Sequence, residues 1–191
     1  MKSYFDKHNI TVKFEDGDEK ILKEGTVDYY TFSYYMTSCV TANIEESDDR
    51  VGGNLFGGVK NNYLETSEWG WQVDPIGLRF TLNELYDRYE MPIYIVENGF
   101  GYNDQINADG QIIDDYRIDY MRKHLEEMKL AIQEGVDCRG YLSWGPVDIL
   151  SSRAQMKKRY GFIYVNREND DLKDMRRIRK KSFTWYQQVI A

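Results

Sequence analysis

The residues of this chain best placed to do chemistry gather around one stretch, "MPIYIVENGF" (91–100), where an apolar and aromatic run stops on the carboxylate of Glu97. An ionised carboxylate in an apolar setting costs several kcal/mol unless it is paired. Glu97 therefore needs a partner or a purpose. The plain alternative is a surface glutamate at a strand end, ahead of an Asn98-Gly99 turn. Metal chemistry has no comparable support: Cys39 and Cys138 share no ligand spacing, and His8 and His124 lie far from both. There is no zinc signature, and neither a metal nor a cofactor is expected.

Three segments read as strands able to position such a group: "VDYYTFSYY" (27–35), "PIYIVE" (92–97) and "RGYLSW" (139–144). Each precedes a helix candidate. The first spans 76–89, with Leu78, Leu82, Leu85 and Tyr89 at helical spacing, Asp74 as N-cap and Pro75 at the first helical position. The second spans roughly 116–134, with Ile118, Met121, Leu125, Met128 and Ile132 on one stripe, after Asp114 and Asp115 that can cap it. The third spans about 173–190 and carries Ile178, Trp185 and Val189 on one side. Strand and helix thus alternate three times, the pattern of parallel βα units with right-handed crossovers, which makes the fold class α/β. Glu97 would end the middle strand, and that end is where barrels of this kind collect catalytic groups.

Two connections are too long to be mere links: 36–73, with paired glycines at 52–53 and 57–58, and 145–172, which contains "LSSRAQMKKRYGFIYV". The basic run "RRIRKK" (176–181) falls on the third predicted helix and reads as a solvated face rather than a nucleic-acid patch. The 191 residues, 41% hydrophobic and 15% aromatic, suffice for one ordinary core, so residues 1–191 are read as one domain. A net charge of −7 disfavours nucleic acid and anionic membranes as partners, while a local cluster of cations could still hold a small anion. No apolar run approaches ~18 residues and the N-terminus has no signal-peptide core. With two cysteines read as free thiols, a cytoplasmic location is expected.

The segments "FSYYM", "SEWGWQVDPIGLRFTLNELYDRY", "IYIVENGFG", "RGYLSWGPVDILS" and "KKRYGFIYV" resemble, in order, the C-terminal part of a 6-phospho-β-glucosidase of glycoside hydrolase family 1. The resemblance covers essentially all of 1–191. It implies part of a (β/α)8 TIM barrel, about three C-terminal βα units corresponding to strands six to eight, and a retaining glycosidase acting on 6-phospho-β-glucosides. It implies that Glu97 is the nucleophile, one of two carboxyl groups about 5–5.5 Å apart, and that Tyr35 hydrogen-bonds it. It places Trp144 at the floor of the sugar site, where an aromatic face suits the apolar face of a pyranose. Where relatives acting on neutral sugars resemble one another in a W-x-x-x-D-N-F-E-W motif, this chain reads "WGPVDILSS", with Ser151 in place of the last Glu. A carboxylate there would repel a 6-phosphate. Ser151, Lys158 and Tyr160 instead offer it a hydroxyl, an ammonium and a phenol. Ser152, where phosphogalactosidases resemble one another in carrying Trp, leans toward a gluco-configured substrate.

The same resemblance implies an acid/base Glu in a T-x-N-E-P motif at the end of the fourth strand. The near match "TLNEL" (81–85) is read as helix, because Leu82 and Leu85 belong to an apolar stripe, no Pro follows Glu84, and Glu84 precedes Glu97 by only 13 positions. A full barrel takes about 250 residues. Met1 is therefore read as an internal methionine of a longer protein, and the missing N-terminal part of the barrel as a partner. The piece alone is expected to self-associate or to be partly disordered in its loops, and to show negligible hydrolysis. The competing reading is a non-catalytic sugar-phosphate binding or regulatory module that retains Ser151, Lys158 and Tyr160.

Overall fold

The computed structural model describes residues 2–43, 50–51 and 57–191. In chain order its elements are α1 (Lys2–Lys7), α2 (Asp18–Glu24), β1 (Tyr30–Ser33), β2 (Arg50–Val51), β3 (Gly58–Val59), α3 (Pro75–Tyr89), β4 (Ile93–Asn98), α4 (Asp115–Gln133), β5 (Cys138–Ser143), β6 (Ile163–Val165), β7 (Arg177–Arg179) and α5 (Lys181–Val189). The glycine pair at 52–53 lies outside the described residues.

β1, β4 and β5 form a parallel sheet in that order, with β4 in the middle. Successive side chains of a strand face opposite ways. Tyr30, Phe32, Ile93 and Ile95 therefore share a face, and they pack on Leu78 and Leu82 of α3 and Met128 and Ala131 of α4. Leu78, Leu82 and Ile95 are fully buried in this core. The opposite face presents Tyr29, Thr31, Tyr94, Val96 and Leu142 around an open concavity of about 370 Å³. Tyr29 and Leu142 remain about half exposed there, at 55% and 51%.

The first expected helix stands as drawn: the Asp74 carboxylate accepts from the Gly77 N–H at 2.9 Å and Pro75 opens the first turn. Tyr89 is more exposed than its stripe implied and stacks on Tyr30, 5.3 Å between ring centroids.

The second helix is rotated from the expected stripe. Its buried side chains are Arg117, Tyr120, Met121, His124 and Ala131, while Ile132 is exposed. Two of those are charged or polar, so a stripe drawn from apolar residues alone misplaces the face. Nor does the Asp114 side chain cap α4. It accepts instead from the Ser182 N–H at 2.8 Å and from Arg117 Nε at 3.0 Å, tying α4 to α5.

The third expected helix is half wrong. Arg177–Arg179 is an edge strand, antiparallel to β6, and the helix begins only at Lys181. "RRIRKK" is therefore no solvated helical face: Arg177 and Arg179 are exposed, but Lys180 is buried. The helix that remains packs Phe183, Trp185 and Tyr186 against Tyr120, Met121 and Phe162. No helix among the described residues is long and apolar enough to cross a membrane.

Candidate active site

Glu97 is the penultimate residue of β4, between half-buried Val96 and buried Asn98. Asn98 knots the strand end in place. Its Nδ2 donates to the Tyr34 carbonyl at 2.6 Å and to the Tyr120 hydroxyl at 3.2 Å, and its Oδ1 accepts from the Tyr141 hydroxyl at 2.6 Å. Its carbonyl accepts from the Trp144 N–H at 2.7 Å, which holds the exit of β5 beside the exit of β4. The half-buried Glu97 carboxylate projects on its own and accepts from the Tyr35 hydroxyl at 3.0 Å. Burial, and then the charge of Glu97, raise the Tyr35 phenol far above its ordinary range, so it remains a donor. The Tyr35 carbonyl is held in turn by the Tyr120 hydroxyl at 3.0 Å.

From Tyr35 an aromatic wall runs outward. Its ring meets Trp71 edge-on at 5.7 Å and Tyr160 at 6.2 Å. Lys158 enters this cage with its Nζ 3.5 Å from the Trp71 centroid, 5.5 Å from Trp69 and 5.7 Å from Tyr160. Such face-on contacts stabilise a cation by about 0.5–2 kcal/mol. They do not neutralise it. Among the described residues no carboxylate pairs with Lys158, and burial, helped by the Arg153 charge, pulls its ammonium down to about 8. Burial pushes the Tyr160 phenol up, so it too keeps its proton.

The backbone explains why Lys158 and Tyr160 face together. Arg159 pairs with Tyr102 as a one-residue antiparallel bridge, N–H to carbonyl at 3.0 and 2.9 Å in the two directions. Residues 158 and 160 therefore share a side, and Arg159 takes the other. They lie over Gly101, where a Cβ would come within 2.8 Å of Tyr160 Cζ and 2.9 Å of Lys158 Cε.

The expected residues are thus only partly brought together. Glu97, Tyr35, Lys158 and Tyr160 form one continuous cluster. Trp144 stands half-buried beside the end of β4. Ser151 is buried, but its hydrogen bonds stay within its own turn, where its Oγ accepts from the Gln155 N–H at 3.2 Å. Gln155 reaches the cage for it, accepting from Trp69 Nε1 at 3.3 Å. Trp69, Trp71, Gln155 and Tyr120 are the residues that sequence reasoning passed over. The W-x-W pair in "SEWGWQ" was the available signal. Glu84 of "TLNEL" is exposed in the middle of α3, not at a strand end.

The arrangement sets an oriented carboxylate at a parallel-strand terminus beside an aromatic cage whose cation has no carboxylate partner among the described residues. The chain is 58% identical over its full length to an aryl-phospho-beta-D-glucosidase (BglH) of Bacillus subtilis (strain 168) and 53% identical to a phospho-cellobiase of Klebsiella oxytoca. It spans about 41% of the length of each. Among solved structures it resembles a beta-glucosidase from Thermotoga maritima in complex with galacto-hydroximolactam, with a TM-score of 0.74 and 27% identity, over 93% of this chain and 38% of that one. The parallel βα arrangement is thus part of a TIM barrel. The model for Glycosyl hydrolase family 1 matches residues 1–191 throughout, and the chain belongs to that family.

Proposed function

We propose that the chain is the part of a retaining 6-phospho-β-glucosidase that carries the nucleophile and the phosphate site, on the sixth to eighth strands of an eight-stranded barrel. Glu97 attacks the anomeric carbon and the aglycone departs, leaving a glycosyl-enzyme that water then opens to glucose 6-phosphate. Tyr35 orients the attacking carboxylate, and the Trp144 indole underlies the sugar ring. Lys158, Tyr160 and Ser151 hold the 6-phosphate, with Ser152 leaving room for a gluco-configured ring.

The observation that carries this reading is Lys158, a buried ammonium without a carboxylate partner among the described residues, one aromatic ring away from the Tyr35 that serves Glu97. A buried unpaired charge is costly, and a phosphate dianion removes the cost. Two of the relatives compared above are, by name, an aryl-phospho-beta-D-glucosidase and a phospho-cellobiase. The test is calorimetry with glucose 6-phosphate and with glucose. Wild type should bind the phosphorylated sugar far more tightly, and Lys158→Ala should lose that preference; equal binding of both sugars by wild type would overturn the reading.

The acid that protonates the leaving oxygen is assigned to the remainder of the barrel, which covers the sheet face around Tyr29, Thr31, Tyr94, Val96 and Leu142. Residues 1–191 alone should then hydrolyse an unactivated substrate negligibly, and self-associate through that face; clean monomers by light scattering at high concentration would refute the second point. Adding a segment that supplies the remaining strands should restore turnover. Binding without any such restoration would mark a non-catalytic sugar-phosphate binding or regulatory module instead.

A further inference from the structure

Behind Lys158 and Tyr160 lies a cluster of charges for which the proposed chemistry has no use. Asp104, Asp114 and Asp148 meet Arg117, Arg159 and Lys180, and all six are buried. Lys180 Nζ donates to Asp148 Oδ1 at 2.7 Å and also to Asp104. Arg117 grips Asp104 with Nη2 at 2.7 and 2.9 Å, and its Nη1 donates to the carbonyls of Phe100 and Arg159 at 2.5 and 3.3 Å. The cluster therefore joins the loop that leaves Glu97 to the backbone of residue 159. Replacing one member of such a cluster leaves an uncompensated charge, whereas its net contribution to stability is small, so what the cluster supplies is geometry.

We propose that Arg159 is a positioning residue, anchored to Asp148 on the far side of the 158–160 segment so that Lys158 and Tyr160 stay turned toward the anion site. For its consequence in binding, the inference rests on the phosphate reading given above. Arg159 is 2% exposed; its Nη2 donates to the Arg167 carbonyl at 2.8 Å and its guanidinium lies 4.5 Å over the Tyr164 ring. Asp148 Oδ1 accepts from the Gly161 N–H at 2.9 Å, so the same carboxylate holds the next turn of the segment. Side chains alternate along an extended backbone, so a fixed Arg159 fixes the opposite direction for both neighbours. The joint is also the loosest in the cluster. Arg159 Nε and Asp148 Oδ2 face one another at 3.5 Å, and neither is hydrogen-bonded. The Asp148 contact is thus one of charge without a hydrogen bond, and together with the Arg167 bond and the Tyr164 ring it opposes rotation of the Arg159 side chain; an uncharged side chain of similar length loses all three and should release it.

The test uses the full chain in two measurements, the Lys158 Nζ titration by lysine 15N NMR and calorimetry with glucose 6-phosphate. Wild type should titrate near 8, the value that burial in the cage imposes. Arg159→Met should move that midpoint toward the ordinary 10.5 and weaken glucose 6-phosphate binding tenfold or more, and Arg159→Lys should recover most of both. Asp148→Asn keeps the shape and should shift both readouts in the same direction; it decides the matter if Arg159→Met does not fold. A folded variant whose midpoint and affinity both match wild type would overturn the proposal. If wild type ignores glucose 6-phosphate while Arg159→Met still moves the Lys158 midpoint, the positioning role stands and the phosphate reading falls.

Discussion

The affinity for glucose 6-phosphate should depend on pH in a way that only a caged lysine produces. Lys158 is held at about 8 by burial, with the Arg153 charge adding to the effect. A lysine lowered in this way sheds its proton within the working range, and the shed form cannot pair with phosphate. About nine-tenths of the chains carry the ammonium at pH 7 and about one-tenth at pH 9, and the apparent Kd rises as the competent fraction falls. Binding should therefore weaken about tenfold between pH 7 and pH 9, a loss of about 1.4 kcal/mol. Tyr160 adds nothing to this slope, because burial keeps its phenol protonated throughout. Below about pH 6 the ligand's own second ionisation reverses and affinity drops again, so the optimum lies near pH 7. Calorimetry at half-unit pH intervals, in buffers of different ionisation enthalpy, gives both the affinity and the proton taken up on binding. Lys158→Arg, with a cation that does not titrate in this range, is the control and should give a flat response above pH 7. A wild-type affinity constant from pH 7 to 9, or an equal decline in Lys158→Arg, would refute the reasoning.

His124 is fully buried beside Tyr34 and Tyr120, and burial lowers it from 6.5 to about 4. The unfolded chain binds that proton at a higher pH than the folded one, so stability is complete above pH 6.5 and falls between 6.5 and 4, by about 3 kcal/mol for this group. Urea unfolding at pH 7 and pH 5 should show a stability loss that is largely absent in His124→Gln; equal losses would sink the assignment. Gly101→Ala would drive a methyl into Lys158 and Tyr160, and should weaken glucose 6-phosphate binding by an order of magnitude with little change in the unfolding midpoint. Unchanged affinity in a folded Gly101→Ala chain would show that the two side chains give way freely.

The sheet and its helix layer were legible in the sequence wherever burial follows hydrophobicity. Leu78 and Leu82 lie where their spacing put them, and Asp74 caps the helix they belong to. Glu97 could be picked out because a charge ended an apolar run, and Tyr35 does touch it. Legibility failed where burial is electrostatic. Arg117 and His124 occupy the inner face of α4, so a stripe of apolar residues pointed to Ile132, which is exposed. Lys180 sits inside a run of basic residues that composition assigns to solvent, yet its partners Asp104 and Asp148 are 76 and 32 positions away. No local pattern announces such pairs. The cage around Lys158 is local on one side, where Tyr160 stands two residues on, and non-local on the other, where Trp69 and Trp71 come from the loop before α3.

The terminus of a β-strand ordinarily frays, because its last residues have the fewest neighbours to hold them. Asn98 removes that freedom by engaging a carbonyl beyond β1, a phenol of α4 and a phenol of β5. Opening the end of β4 therefore means breaking its links to three elements together, and Glu97 belongs to the same cooperative unit as the sheet. Its carboxylate is carried on a strand end tied to three elements, while Lys158 stands on the connection between β5 and β6. On the reading proposed above, the attacking group is thus fixed by the sheet itself, whereas the residues that grip the anion take their direction from the buried charges behind Arg159.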